Sequence, residues 1–260
     1  MARTRIIAVA NQKGGTGKST IAVNLAVAAG ETGHRVLVVD VDPQADATTM
    51  LGVEPDAQPR TLYDVFVGDC ELPDAVRAHV APGVDLGVGT DRMADVEVTL
   101  AGELMRERFL HGALEGHTGG YDLVLVDCPP NLGLLTVNAF CAAPEVLVVV
   151  SMTDRNAYKG AMALLATVNK LRHKGIDTSV TGVIRNYVDT HRSTYQLLND
   201  ALAGTGLPLL QTEVPMRAGF QNAVTAGVPL VAFSPKHPGA TAMRELAAEV
   251  LDAQADRKAA

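Results

Sequence analysis

Cysteine is scarce in this sequence, and the spacing of the few that occur excludes two kinds of site. Cys70, Cys128 and Cys141 are the three cysteines among 260 residues, and they lie far apart with no C-x-x-C pair. An odd number of isolated cysteines supports neither a disulfide framework nor a zinc site. We therefore expect a cytoplasmic protein that works in a reducing compartment.

Long apolar runs and an excess of positive charge are also missing. The first apolar run, residues 6–10, is too short for the apolar region of a signal peptide. No stretch reaches the roughly 18 apolar residues of a membrane-spanning helix, so we expect no membrane insertion. The formal net charge of −7 argues against nucleic-acid binding through the overall charge. Any DNA binding must therefore depend on local basic groups.

Short runs of apolar and β-branched residues recur along the chain and predict strands that are buried on both faces. They cover residues 6–10, 35–41, 123–126, 146–150 and 180–184. Segments of helical length separate them. This alternation predicts an α/β fold with a mainly parallel, twisted β-sheet flanked by helices on both faces. Ligands are then expected at the carboxyl ends of the strands.

Two further segments complete the predicted organisation. Residues 19–29 form a helix whose apolar stripe includes Ile21 and Leu25, and Gly30 is placed to end it. Residues 52–120 are less regular, so we expect short helices and loops beside the sheet. The chain shows no repeat, low-complexity tract or linker, and residues 1–260 are therefore predicted to form a single domain.

A glycine-rich segment between the first strand and the first helix has the residues of a phosphate-binding loop. Its backbone N–H groups can surround phosphates, Lys18 can reach the β- and γ-phosphate oxygens, and Ser19 can supply a ligand to Mg²⁺. The sequence thus predicts a P-loop ATPase that uses ATP and Mg²⁺. The predicted nucleotide-binding residues of the loop are Gly14, Gly15, Thr16, Gly17, Lys18, Ser19 and Thr20.

The loop departs from the ordinary Walker A pattern in one informative way. Gln12 replaces the glycine expected five residues before Gly17, and Lys13 follows it. The pattern K-G-G-x-G-K-[ST] is typical of the deviant Walker A family of P-loop NTPases, which this sequence resembles. The resemblance implies that Lys13 reaches across an ATP-dependent sandwich dimer to the phosphates of the partner. Lys13 and Lys18 are thus predicted catalytic residues.

Three aspartates follow predicted strands and are candidates for the metal and the attacking water. Asp40 and Asp42 share one face at the end of the second strand, and Asp127 closes the apolar strand that precedes it. Asp127 is expected to hold Mg²⁺ through water, together with Ser19. The resemblance assigns catalytic activation of water to Asp42 and support of the Mg²⁺ shell to Asp40. Plain turn chemistry before a proline is the alternative for Asp42.

Longer segments resemble the ParA/Soj branch of partition ATPases within that family. They cover residues 11–20, 39–48 and 121–138, and the last is similar over eighteen residues to the family's Walker B segment, which contains Asp127. The resemblance further implies that Asn186 meets the adenine and that Pro215 begins the other wall of the base site.

The sequence also departs from the pattern of this branch at two places. Residues 151–156 lack the usual proline and the Gln-Glu run. Met216 and Gly219 occupy positions that are often basic. These departures concern the cargo and the DNA surface and leave the predicted ATP site intact.

In that family ATP drives formation of a homodimer that binds nonspecific DNA, and a ParB-like centromere-binding or adaptor protein stimulates hydrolysis. The resemblance implies that this protein segregates or positions a chromosome or plasmid and associates with the nucleoid when ATP is bound. Arg192 matches a position that contacts the DNA backbone, and Arg217 lies one residue from another. An ordinary solvated surface arginine is the alternative for each. Further candidates for the same patch are Lys159, Lys170, Arg172 and Lys174.

A MinD-like or orphan positioning ATPase that acts on a membrane surface or a non-DNA cargo is the main alternative. A membrane-binding relative would need a basic amphipathic C-terminal helix. Here Glu245, Glu249 and Asp252 accompany the apolar stripe, and residues 253–260 contain no bulky apolar side chain. An electron-transfer protein of this fold would need paired cysteines, and a pure dinucleotide-binding module would leave Lys18 and Ser19 unexplained. We therefore expect no membrane partner.

Overall fold

An eight-stranded β-sheet lies at the centre of the described part of the chain. The computed structural model describes residues 4–153 and 155–259, but not the side chains of 155–157 and 253–259. Asp154, in the segment that departs from the family pattern, and the side chains of the tail 253–260 thus lie outside the described residues. The strands are β1 (Arg5–Ala10), β2 (Val36–Asp40), β3 (Val76–Ala81), β4 (Val84–Gly87), β5 (Leu123–Asp127), β6 (Glu145–Ser151), β7 (Ser179–Val188) and β8 (Leu209–Pro215).

The sheet is parallel apart from one edge strand, as the alternating pattern predicts. The strand order is β3-β4-β2-β5-β1-β6-β7-β8, and β3 pairs antiparallel with β4. The helices are α1 (Lys18–Glu31), α2 (Asp46–Met50), α3 (Leu62–Phe66), α4 (Val96–Thr99), α5 (Phe109–Leu114), α6 (Leu134–Ala142), α7 (Arg155–His173), α8 (Ser193–Ala203), α9 (Ala218–Thr225), α10 (Leu230–Phe233) and α11 (Pro238–Ala259). Strands from residue 5 to residue 215 share this sheet, and we therefore propose a single domain for residues 1–260.

Each central strand is buried on both faces because helices cover the sheet on both sides. In β1, Ile7 and Val9 join an apolar cluster with α1, α10 and α11, whereas Ala8 and Ala10 join a second cluster with α3 to α8. This confirms the predicted layers. No helix among the described residues combines the length and the apolar character needed to cross a membrane.

The prediction for residues 52–120 was wrong in part. The expected short helices are present, but β3 and β4 also extend the sheet at that end. β4 has four residues, and β3 is an edge strand that is mostly exposed or half-buried, so neither shows the apolar run of a central strand. β8 was missed for a similar reason, since Gln211 is exposed in the middle of the strand.

The predicted helix end at Gly30 was also wrong. α1 continues to Glu31, and Gly33, with a φ of 91°, adopts the left-handed conformation just beyond it. Gly30 lies inside the helix. Glycine is needed there because a Cβ at this position would overlap the carbonyl oxygen of Pro82 and lie 3.3 Å from Val84 Cγ2. The glycine therefore allows α1 to approach the turn between β3 and β4.

This close approach predicts that Gly30→Ala destabilises the protein although alanine is the better helix former. Overpacking typically costs about 1–3 kcal/mol, which exceeds the gain of up to about 1 kcal/mol in helix propensity. Gly112→Ala in α5 is the matched control, because a Cβ there would meet no atom within 4 Å. Urea unfolding should show a lower midpoint for Gly30→Ala and an unchanged or higher one for Gly112→Ala. Equal midpoints for the two variants would contradict the packing argument.

Candidate nucleotide-binding site

The phosphate loop lies between the carboxyl end of β1 and the first turn of α1. Gly15 and Gly17 adopt left-handed backbone conformations with φ values of 72° and 85°, which glycine allows without a steric penalty. Gly17 is also crowded, because a Cβ there would collide with Asn186 Nδ2 and lie 2.9 Å from Tyr187 Oη. The helix that follows begins at Lys18, so its first N–H groups and its positive end face the loop.

Two buried asparagines hold the loop against neighbouring strands. Asn11 Nδ2 donates to the Val149 carbonyl of β6 at 2.7 Å, and Asn11 Oδ1 accepts from the Lys13 N–H at 3.1 Å. Asn186 Nδ2, on β7, donates to the Thr16 carbonyl at 2.7 Å. The loop is thus fixed at its beginning and at its centre, which prepares its backbone for an anionic ligand before that ligand arrives.

Asp127 is the best candidate for the metal site. It is fully buried, and neither carboxylate oxygen has a hydrogen-bond partner among the described residues. Burial raises the pKa of Asp127 well above its ordinary value, the neighbouring charge of Asp40 raises it further, and the Ser19 hydroxyl and Lys18 oppose the shift. A buried carboxylate with unused oxygens beside a serine hydroxyl fits Mg²⁺, which prefers oxygen ligands.

No group of three or more His, Cys, Asp or Glu side chains within the described ranges could hold a metal by itself. Mg²⁺ is usually held by one or two protein groups together with water and substrate phosphates. Asp127 and Ser19 would supply the protein oxygens here.

Asp40 lies next to Asp127 in the β2–β5 register but uses its oxygens elsewhere. Its Oδ2 accepts from the N–H and the hydroxyl of Thr48, both at 2.8 Å, and its Oδ1 accepts from the Asp42 N–H at 3.3 Å. Burial raises the pKa of Asp40 to about 7. These contacts attach α2 to the end of β2. The role of Asp40 in the Mg²⁺ shell stays a prediction.

Asp42 lines a small cavity of about 280 Å³ together with Lys18 and Ser19. Its side chain is 4% exposed, and its Oδ1 accepts from the Gln44 N–H at 3.0 Å. Burial raises the pKa of Asp42, and Lys18 lowers it in part. The Gln44 contact is the turn bond that the alternative interpretation expects, and the same bond holds the carboxylate in the cavity.

A second, wider cavity of about 720 Å³ lies beside the loop. Lys13 lines this cavity, whereas Lys18 lines the smaller one. The two predicted catalytic lysines therefore line different cavities beside one loop. Gly14, Gly15, Thr20 and Tyr187 line both cavities.

Asn186 lies at the phosphate loop and Pro215 lies beside a third cavity, and their contact with the base stays a prediction. Asn186 is 2% exposed and bonds the loop backbone, and Pro215 lines a third cavity with Lys236. Tyr187 and Arg217 line the wide cavity instead, and sequence reasoning did not assign either of them to the nucleotide. A bulge in the pairing between β7 and β8 brings Tyr187 to the loop, and the sequence carries no evident signal for it.

The arginines predicted to bind DNA occupy different surroundings. Arg192 precedes α8, is half-exposed, and its Nε lies 3.2 Å from Asp189 Oδ2. Arg217 precedes α9 and faces the wide cavity beside the loop. Both arginines precede a helix, but of the two Arg217 lines the wide cavity and Arg192 pairs with Asp189.

Cys128 follows Asp127 and has the environment of a buried apolar side chain. It is fully buried, and burial raises the pKa of its thiol well above the ordinary value. The thiol therefore stays protonated near neutral pH, as is typical of a structural cysteine and not of a nucleophile.

Comparisons with known proteins agree with this geometry. A family described as "AAA domain" matches residues 4–181. The chain is 34% identical to sporulation initiation inhibitor protein Soj of Bacillus subtilis, over 95% of this chain and 98% of that protein. It is 35% identical to chromosome partitioning protein ParA of Caulobacter vibrioides, over 98% of this chain and 97% of that protein.

A solved structure resembles the chain over nearly its whole length. Cobyrinic acid a,c-diamide synthase from Mycobacterium smegmatis, with bound ADP and magnesium, is 32% identical and has a TM-score of 0.84 over 96% of this chain and 94% of that one. The phosphate loop, the buried Asp127 beside Ser19 and the near full-length matches to partition proteins thus lead to one assignment. The chain belongs to the ParA/Soj family of P-loop ATPases with a deviant Walker A motif, and it is an ATPase.

Proposed function

We propose that this ATPase forms an ATP-dependent sandwich dimer, binds DNA without sequence preference, and hydrolyses ATP when a partner protein stimulates it. The observation that carries the proposal is the pair of loop lysines, because Lys13 lines the wide cavity while Lys18 lines the small one. One protomer can use Lys18 for its own nucleotide and offer Lys13 to the other. The similarity to chromosome-partitioning proteins supports DNA segregation, in the cytoplasm and on the nucleoid when ATP is bound.

The small cavity supplies the groups for the chemical step. Lys18 would contact the phosphate oxygens, and Ser19 and Asp127 would hold Mg²⁺, which supplies positive charge to offset the negative charge of the phosphates when bound. Asp42 holds the attacking water and accepts its proton, since its carboxylate lines the same cavity as Lys18. Its raised pKa makes it a better base than an ordinary aspartate.

A local basic surface must bind DNA, because each protomer carries a net charge of −7. We place Arg192 in this surface, together with Lys159, Lys170 and Arg172 of α7 and Lys174 just after it. Arg217 lies in the wide cavity, where a DNA phosphate would compete with nucleotide. The DNA proposal therefore depends on Arg192. Dimerisation doubles the number of basic groups on one face.

A ParB-like centromere-binding or adaptor protein is the proposed stimulating partner. The non-DNA alternative has one observation in its favour, since Met216 and Gly219 stand at positions that are often basic. Gly219 packs against the His237 ring, where a Cβ would lie 2.6 Å from Nε2. The geometry thus accounts for a glycine at 219. An ATP-dependent protein that fails to bind DNA would favour a positioning ATPase for another cargo.

Lys18→Ala should abolish ATP binding, because the lysine is the cation of the small cavity. Isothermal titration calorimetry measures the affinity, and circular dichroism checks that the variant is folded. Lys236→Ala is the control, since this exposed lysine lines neither cavity beside the loop. Wild-type ATP affinity in a folded Lys18→Ala protein would refute the assignment of the site.

Lys13→Ala and Asp42→Asn should have opposite effects on the dimer. Without Lys13 we expect no ATP-dependent dimer, and the loss of a cationic finger lowers the hydrolysis rate by about 10³ to 10⁵. Asp42→Asn keeps the bond to the Gln44 N–H but removes the base, so the dimer should form and persist with ATP. Multi-angle light scattering with ATP distinguishes the two. A monomeric Asp42→Asn beside a dimeric Lys13→Ala would reverse the proposed roles.

DNA binding should require ATP and should weaken uniformly across sequences in Arg192→Ala. Log K falls with log salt by about 0.9 per neutralised phosphate, so this variant should reduce the slope by about two per symmetric dimer. Fluorescence anisotropy with unrelated duplexes at several salt concentrations measures both effects. ATP hydrolysis without DNA should be unchanged.

The control for this experiment is Arg60→Ala. Arg60 is exposed and paired with Asp64 at 3.5 Å, as Arg192 is paired with Asp189, but it lies beside α3 at the other end of the sheet. The Arg60→Ala variant should bind DNA like the wild type. Equal DNA affinity with ADP and ATP would refute the proposed mechanism. Wild-type DNA affinity in the Arg192→Ala variant would refute the assignment of this residue.

A further inference from the structure

Thr48 is a buried polar residue near the nucleotide site that the proposed hydrolysis step does not use. It lies in α2, beyond Asp42 in the chain, and it is fully buried. Its N–H and its hydroxyl both donate to Asp40 Oδ2, each at 2.8 Å. The same hydroxyl oxygen accepts from the Gly89 N–H at 2.9 Å. One side chain therefore joins the carboxylate at the end of β2 to the backbone just after β4.

Gly89 lets the backbone after β4 pack directly against Asp40. A Cβ on this glycine would lie 2.7 Å from Asp40 Cγ and 2.7 Å from the Asp40 carbonyl oxygen, which is closer than real Cβ atoms approach. β4 also pairs in parallel with β2, so the two strands end side by side. The carboxylate of Asp40 is thus enclosed by Thr48 and by the backbone at Gly89, and it has little freedom to move.

The second oxygen of the same carboxylate reaches the residue that we propose as the base. Asp40 Oδ1 accepts from the Asp42 N–H at 3.3 Å. The chain then turns through Ala45, whose φ of 51° lies in the left-handed region that is uncommon for residues other than glycine. A backbone in such a conformation persists only where the surrounding contacts hold it. The bonds from Thr48 to Asp40 hold the far end of this turn.

Thr48 itself has no access to the nucleotide. It lines neither cavity beside the loop, whereas Asp42 lines the small cavity together with Lys18. Its hydroxyl has one proton, which it gives to Asp40, and it already accepts from Gly89. An effect of Thr48 on the reaction must therefore pass through Asp40 and Asp42.

We propose that Thr48 is a positioning residue for ATP hydrolysis, because its hydroxyl fixes Asp40 and thereby the backbone of Asp42. Residues 40–48 then form one unit that holds the Asp42 carboxylate in the small cavity before ATP binds. The inference rests on the proposed function, since it takes Asp42 as the base of the hydrolysis step. It also gives Asp40 a role that requires no contact with the Mg²⁺ shell.

Thr48→Val keeps the shape of the side chain but removes the hydroxyl. At saturating ATP we expect kcat to fall about 10²-fold, since a misplacement of about 1 Å can cost that factor. ADP affinity, measured by calorimetry, should equal that of the wild type because the phosphate loop is unchanged. Thr48→Ser restores the hydroxyl and should hydrolyse ATP nearly as fast as the wild type. Thr48→Ala removes the hydroxyl from a smaller side chain and should show the same loss, so the test does not depend on the valine variant alone.

Thr61→Val is the matched control. Thr61 is also buried, and its N–H and hydroxyl both donate to Asp64 Oδ2, at 2.8 and 3.0 Å. It precedes α3 and lines neither cavity beside the loop. This variant should lower the midpoint of urea unfolding as Thr48→Val does, but it should leave kcat unchanged. An equal loss of kcat in the two variants would overturn the proposal in favour of a general effect of stability.

A double-mutant cycle with Asp42→Asn tests the route by which Thr48 acts. Since the effect of Thr48 passes through the base, adding Thr48→Val to Asp42→Asn should not lower the residual rate further. A further loss as large as that in the wild-type background would overturn this route. Wild-type hydrolysis by Asp42→Asn alone would instead overturn the proposed role of Asp42, and the inference with it.

Hydrogen–deuterium exchange without nucleotide measures the positioning directly. The backbone amides of residues 41–48 should exchange faster in Thr48→Val than in the wild type, because the turn has lost the contacts at its far end. The same amides should be unaffected in Thr61→Val and in Thr48→Ser. Unchanged exchange in Thr48→Val, or a wild-type kcat in the folded variant, would overturn the positioning role.

Discussion

The charge balance around Lys18 is the interaction on which the site depends. Its buried ammonium group lowers the pKa of Asp42 and Asp127, while burial raises both. Without it, two buried carboxylates would lack a nearby cation, and Asp40 would add a third negative charge. The same lysine serves the phosphates of the ligand. The architecture thus places one cation where folding and catalysis both need it, and this explains why the carboxylates can be buried at the ends of β2 and β5.

The parallel sheet brings the charged groups of the site together at one edge. β1, β2 and β5 are neighbours, so their carboxyl ends bring the loop, Asp42 and Asp127 to one edge although they are far apart in the chain. The loop is then tied to β6 through Asn11 and to β7 through Asn186. These bonds keep its backbone in place, and a rigid cradle needs little reorganisation when the phosphates bind.

β7 connects the nucleotide site to the surface that we propose for DNA. Asn186 bonds the loop, Tyr187 borders both cavities, and Arg192 follows at the start of α8. A change at the loop that moves the end of β7 would therefore reach Arg192 through a short covalent path. Coupling of nucleotide state to DNA affinity through this path requires that both sites bias the end of β7.

Local patterns in the sequence determined the parallel sheet, the phosphate loop and the three aspartates, because buried strands and glycine-rich loops have strong signals of their own. Strands β3 and β4 were not predicted, because β3 is an edge strand that is mostly exposed or half-buried and β4 has only four residues. Gly30 appeared to end a helix, yet it allows close contact with Pro82, a residue 52 positions away. The tertiary structure alone decided that Asn186 bonds the loop while Tyr187 and Arg217 face the cavity, because a strand bulge and the packing of α9 set the directions of these side chains.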